Sequence, residues 1–164
     1  MLSSNEQSVV IIGSGYVGMS LGVLLSQEHN VSIIDIDEEK VKKINSGISP
    51  IKDDLISEYL RTKKLRLHAS KPDPLILESA SIIIVSTPTN FDDKTNKFDT
   101  SSVDAIIDEI HKKNIDAVVI IKSTIPEGYT EQLQEKYNNK KIIFSPEFLR
   151  EGNALYDNLF PSRI

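Results

Sequence analysis

No cysteine occurs among the 164 residues of this chain. Disulfides are therefore excluded, and these residues can carry no step that needs a thiolate. A basic cluster is missing too. The net charge is −5, which argues against nucleic acid or an anionic membrane surface as partner. Apolar runs are short: the longest, such as residues 117–121, fall far below the roughly 20 residues that cross a bilayer. The opening MLSSNEQS has neither the charged nor the apolar part of a secretory signal, so a cytoplasmic protein is expected. His29, His68 and His111 are scattered without metal-ligand spacing. Asp92, Asp93, Asn96 and Asp99 resemble a calcium loop without its glycine or its closing glutamate, so a solvated polar loop is expected there and no metal.

What is present is an alternation. Short β-branched runs are apolar on both faces: Val9-Val10-Ile11-Ile12, Val31-Ser32-Ile33-Ile34, Ile82-Ile83-Ile84-Val85, residues 117–121 and Ile142-Ile143-Phe144. A weaker run over residues 65–68 adds a further candidate strand. Between them Val17, Leu21, Leu24 and Leu25 recur at helical spacing, as do Val103, Ile106, Ile107 and Ile110. Asp37-Glu38-Glu39 opens another helix, Lys42-Lys43 lies near its end and Gly47 stops it; Leu55, Tyr59 and Leu60 mark one more. Parallel strands need crossover connections, so the expected fold class is α/β: one domain with a doubly wound, mainly parallel sheet. Residues 86–101 form a long connection with little regular pattern, leaving a strand's carboxyl end where such sheets bind ligands.

The motif GSGYVG, residues 13–18, follows the first strand and opens the first helix. In that context Gly13 suits a tight turn, Gly15 lets a pyrophosphate approach the backbone, and Gly18 allows close packing of helix on sheet. Asp35 closes the second strand, where a carboxylate accepts ribose hydroxyls and repels a 2′-phosphate, which favours NAD over NADP. A P-loop is excluded because Met19 stands where its lysine belongs.

Two later motifs follow strands: STP at residues 86–88 and KSTIPEG at residues 122–128. Their hydroxyls suit either a helix cap or a site, and pattern alone leaves Thr124 between the two. Pro126 fits the start of the next helix. FSPEFLREG, residues 144–152, sets Glu147 and Glu151 about Arg150 just past the last strand. On pattern alone these are either a surface ion-paired group or groups that serve a site.

In that order, GSGYVG, Asp35, TPT at residues 87–89, KSTIPEG and FSPEFLREGNALYDNLFPSRI resemble the UDP-glucose/GDP-mannose dehydrogenases, and within them the UDP-glucose 6-dehydrogenase branch. The resemblance runs over the family's N-terminal, NAD-binding, Rossmann-type domain. It implies two successive NAD-dependent oxidations at the sugar C6, from UDP-glucose to UDP-glucuronate, in a homo-oligomeric enzyme of polysaccharide precursor synthesis. By the same resemblance Gly13, Gly15, Tyr16, Val17, Gly18, Asp35, Lys40 and Thr89 hold NAD. Thr124 helps hold NAD and the catalytic water, and Glu147 is the catalytic carboxylate. Glu147, Phe148, Leu149, Arg150 and Glu151 line the sugar-nucleotide side, with Glu151 near the nicotinamide.

The family also uses a cysteine, a lysine and an aspartate from a later domain. With no cysteine here, the expectation is an N-terminal fragment that lacks the central helix and the sugar-nucleotide domain and is inactive alone. Two other readings stand beside it: a dehydrogenase of GDP-mannose or a UDP-amino sugar, and a non-catalytic NAD-binding module. Leu155, Leu159 and Phe160 are expected to form an exposed apolar stripe that meets the missing parts.

Overall fold

A computed structural model describes residues 7–93 and 96–161. Residues 1–6 of the opening stretch and Ser162-Arg163-Ile164 of the last motif lie outside them. Strands β1 (Ser8–Ile12), β2 (Asn30–Ile34), β3 (Leu67–Ser70), β4 (Ile82–Val85), β7 (Val118–Ile121) and β8 (Ile142–Phe144) form one parallel sheet in the order β3-β2-β1-β4-β7-β8. Strand β3 begins two residues later than its apolar run, although the Arg66 carbonyl already accepts the Val31 N–H at 2.9 Å. The order reverses between β1 and β4. Chain leaves these two strands in opposite directions, which opens a crevice at their carboxyl ends.

Side chains of β1 alternate between two cores. Val9 and Ile11 pack with Met19, Val23, Val31, Ile33, Val41 and Ile56 under α1 (Tyr16–Leu25), α2 (Glu38–Asn45) and α3 (Asp54–Thr62). Val10 packs with Ile83, Val103, Ile107, Val119 and Leu133 under α5 (Ser101–Lys112) and α6 (Tyr129–Lys136). Helix α2 shows how local chemistry sets boundaries. The Asp37 carboxylate accepts the N–H groups of Glu39 and Lys40 at its start. At its end Ile48 N–H bonds Lys43 O and Gly47 N–H bonds Ile44 O, a Schellman closure that needs Gly47 at φ 71°. Asn45 then ties the helix to β3, with its amide bonding both backbone groups of Ala69 at 2.8 Å.

Several expectations change. The long connection carries a small antiparallel pair, β5 (Phe91–Asp92) and β6 (Lys97–Phe98), closed by Phe91 edge-on to Phe98. Helix α4 (Pro74–Glu78) is too short to show a helical period in sequence. Helix α6 starts at Tyr129, so Pro126 lies in the preceding turn, its carbonyl accepting the Tyr129 N–H. Helix α7 (Ala154–Leu159) folds back onto α1 and α3, burying Leu155 completely and Leu159 partly; only Phe160, beside Tyr156, stays exposed. The proposed stripe is therefore largely interior. At the β7–β8 end the sheet is less covered than its composition suggested: Val118 and Ile143 are 37% and 42% exposed. Among the described residues, no helix is long and apolar enough to cross a membrane.

Candidate functional site

The crevice begins where β1 ends. Gly13 sits at φ 104°, and a Cβ there would come within 2.6 Å of the Ser86 carbonyl oxygen. Its N–H bonds Ile34 O at 2.9 Å, and the Ser86 hydroxyl donates to the Ile12 and Gly13 carbonyls at 3.0 and 3.2 Å. The turn is thus fastened to the ends of both β2 and β4. A Cβ on Gly18 would overlap the Gly13 carbonyl oxygen, so glycine there permits α1 to start directly against the turn. Gly15, the residue preceding α1, has open space where its Cβ would be. Helix α1 has no side-chain cap and no acid in its first turn. The N–H groups of that turn therefore retain donor capacity and the positive end of the helix dipole.

Asp35 faces this turn from the end of β2. The Ser14 amide (2.8 Å) and hydroxyl both donate to its Oδ2, and the Asp37 N–H donates to Oδ1 at 2.9 Å. Burial by itself would raise the Asp35 carboxyl. The hydrogen bonds from Ser14 and Asp37, with the charge of Lys40, bring it below the usual value. A cavity of about 710 Å³ opens between these groups, lined by Gly13, Ser14, Gly15, Asp35, Ile36 and Lys40 on one side, and by Pro74, Leu77, Ser86, Thr87 and Pro88 on another. Its volume suits a small-molecule ligand. Ile36 is 84% exposed and presents an apolar face to the cavity.

Of the candidate binding residues, Gly13, Gly15, Asp35 and Lys40 line this cavity. Tyr16, Val17 and Gly18 form the first turn of α1 behind Gly15, and Thr89 follows the lining residue Pro88. The remaining candidates form a second group, at the ends of β7 and β8. Thr124 is exposed and caps no helix, since α6 begins five residues on; Ser123 instead bonds Thr87 O at 2.7 Å and joins the ends of β4 and β7. Glu147 is half-buried and its carboxylate accepts the Leu149 N–H at 3.3 Å, while Phe148, Arg150 and Glu151 are exposed. Lys122 links the two strand ends, its ammonium donating to Ser145 Oγ at 3.4 Å and Pro146 O at 3.3 Å. Burial pushes that ammonium below its usual pKa, and the Glu147 charge partly offsets the effect.

Sequence reasoning gave no role of their own to Ser14, Ile36 and Lys122, and left the hydroxyls of the STP motif, Ser86 among them, between a helix cap and a site. A signal existed for two of them: Ser14 is a hydroxyl inside the glycine loop, and Ile36 is the lone apolar residue of an acidic stretch. Nothing local marks Lys122, and the bonds that Ser86 makes to the Ile12 and Gly13 carbonyls depend on strand pairing.

Residues 7–164 match the NAD binding domain of the UDP-glucose/GDP-mannose dehydrogenase family. The UDP-glucose 6-dehydrogenase of Streptococcus pneumoniae is 53% identical over 156 residues, covering 95% of this chain and 40% of that one. That of Campylobacter jejuni is 45% identical over 158 residues, with the same coverage of each. This chain thus spans about 40% of the length of the curated relatives it matches. A solved UDP-glucose dehydrogenase from Pyrobaculum islandicum superposes with a TM-score of 0.80 at 27% identity, over 99% of this chain and 40% of that one.

Proposed function

Because this chain belongs to the UDP-glucose/GDP-mannose dehydrogenase family as its NAD-binding domain, we propose that it holds NAD for the oxidation of UDP-glucose at C6 to UDP-glucuronate. The observation that carries this reading is the cavity at the switch point of the sheet, bounded by the uncapped start of α1 and by the anchored carboxylate of Asp35. Bound NAD would accept a hydride from C6 in each of two oxidations. The backbone of Gly13 and Gly15, with the first turn of α1 at Tyr16, Val17 and Gly18, receives the pyrophosphate. Asp35 accepts an adenosine ribose hydroxyl and repels a 2′-phosphate, with Lys40 and Thr89 beside it. Ile36 offers its exposed face to the adenine.

The ends of β7 and β8 supply the reacting side. Thr124 holds the water and the nicotinamide end, and Glu147 takes or returns the proton of that water or of the C6 alcohol. Phe148, Leu149 and the backbone of Arg150 meet the sugar nucleotide, while Glu151 stands near the nicotinamide. Capturing the aldehyde needs a thiolate that none of these residues provides. The nucleophile, the lysine and aspartate of the family and the uridine pocket would come from further residues. A cytoplasmic location and homo-oligomeric assembly belong to the same proposal.

Fluorescence titration tests the cofactor half: the chain binds NADH more tightly than NADPH, and equal affinities would remove Asp35 from its role. Absorbance at the NADH band tests the division of labour. The chain alone forms no NADH from NAD and UDP-glucose over hours, because positioning of C6 against the nicotinamide is missing. Steady production by the chain alone, lost in E147Q, would overturn that division.

A further inference from the structure

The residue between the first two glycines of a glycine loop has no required type as far as the turn is concerned. In this chain it is Ser14, only 1% exposed, and both of its donors converge on one atom. Its amide reaches Asp35 Oδ2 at 2.8 Å and its hydroxyl bonds the same oxygen. The Asp37 amide occupies Oδ1 at 2.9 Å. An ionised carboxylate has about two acceptor positions on each oxygen. Oδ2 is therefore filled by Ser14, and Oδ1 keeps one position open.

We propose that Ser14 is a specificity-determining positioning residue: it clamps the Asp35 carboxylate across the glycine loop and leaves Oδ1 as the oxygen that meets the cofactor ribose and turns away a 2′-phosphate. The inference rests on the reading of this cavity as the NAD site. Two further observations agree with it. Asp35 also lines the cavity, so the clamp acts on a group that a ligand would touch. The Ser14 hydroxyl is the foremost of the groups that hold the Asp35 carboxyl low against the effect of burial, which keeps it anionic.

Two readouts on the 164-residue chain test the clamp. The first follows the Asp35 side-chain carboxyl by carbon-13 NMR across acid pH, with no ligand present. S14A should move its titration upward in pH, and S14T, which restores the hydroxyl, should return it toward the unmodified position. The second is the ratio of NADPH to NADH dissociation constants. A lost hydrogen bond to a charged group should shrink that ratio about tenfold in S14A, and S14T should recover it. S14G deletes the same hydroxyl and replaces S14A if that variant does not fold. An Asp35 titration unmoved by loss of the hydroxyl, or an unchanged cofactor ratio, overturns the proposal. If the unmodified chain binds neither dinucleotide, the cofactor reading falls separately, and the carboxyl titration still decides whether Ser14 clamps Asp35.

Discussion

Arg150 and Asp157 are joined at three points: guanidinium Nη2 to Oδ1 at 2.6 Å, Nε to Oδ2 at 3.1 Å, and the Arg150 amide to Oδ2 at 2.9 Å. A forked pair of this kind fixes direction as well as distance. It closes the segment after Glu147 onto the start of α7, so the guanidinium is committed within the chain and orients the backbone from Glu147 to Glu151. D157A should speed amide hydrogen exchange over residues 147–152 several-fold. Unaltered exchange in that segment would show that the fork orients nothing.

Two glycines of the loop should behave differently when replaced by alanine. Gly15 has room for a Cβ and an ordinary φ of −75°. G15A should keep the melting temperature and lose roughly tenfold in NADH affinity, since the methyl group would stand where the proposed site receives the pyrophosphate. At Gly18 the same methyl group would meet the Gly13 carbonyl oxygen. G18A should therefore lower the melting temperature as well as the affinity. Thermal melts beside cofactor titrations separate the two, and equal losses of stability would contradict the geometry.

Lys122 makes stability depend on alkaline pH. Its folded pKa lies below its usual value because burial disfavours the charge. Between the folded value and the unfolded one of about 10.4, the unfolded chain binds more protons, so stability rises with pH across that interval. The gap in unfolding free energy between the unmodified chain and K122M should shift in favour of the lysine as pH climbs through it. Urea titrations at a series of pH values check the slope. E147Q should lower the Lys122 pKa further, since the Glu147 charge raises it; NMR of the lysine side chain reads that directly.

Leu155 provides a test of where α7 belongs. It is fully buried, its N–H lies 3.4 Å from the buried carboxylate of Asp53, and Asn158 of the same helix donates to Ser20 of α1 at 2.7 Å. L155A should cost about 2–5 kcal/mol of stability in urea unfolding. A cost below about 1 kcal/mol would mean that α7 does not dock on α1 in solution.

The two halves of the site were not equally legible. The glycine loop, Asp35 and the α2 boundaries could be read because each depends on neighbours along the chain: a strand that runs into a turn, a carboxylate before a helix, a glycine after one. Thr124 and the residues from Glu147 to Glu151 stood out only through a family resemblance, since exposed hydroxyls and carboxylates after a strand carry no period. Helix α4 and the β5–β6 pair went unread for a related reason, being shorter than the repeat that would reveal them.

By itself the sequence determined an α/β domain with a dinucleotide loop, since five apolar runs separated by amphipathic segments can bury their surfaces in few other ways. It also determined where the acidic group after β2 would stand. Tertiary structure decided how that group is held, because Ser14 lies 21 residues away and reaches it only when β1 and β2 pair in register. The same holds for α7: a stripe containing Leu155 looks exposed while α7 is considered alone, and becomes core once α1 and α3 offer a groove to fill. Local patterns are set by φ, ψ and side-chain period within a few residues. The pairings that shape the site are set by packing between elements, which no window along the chain contains.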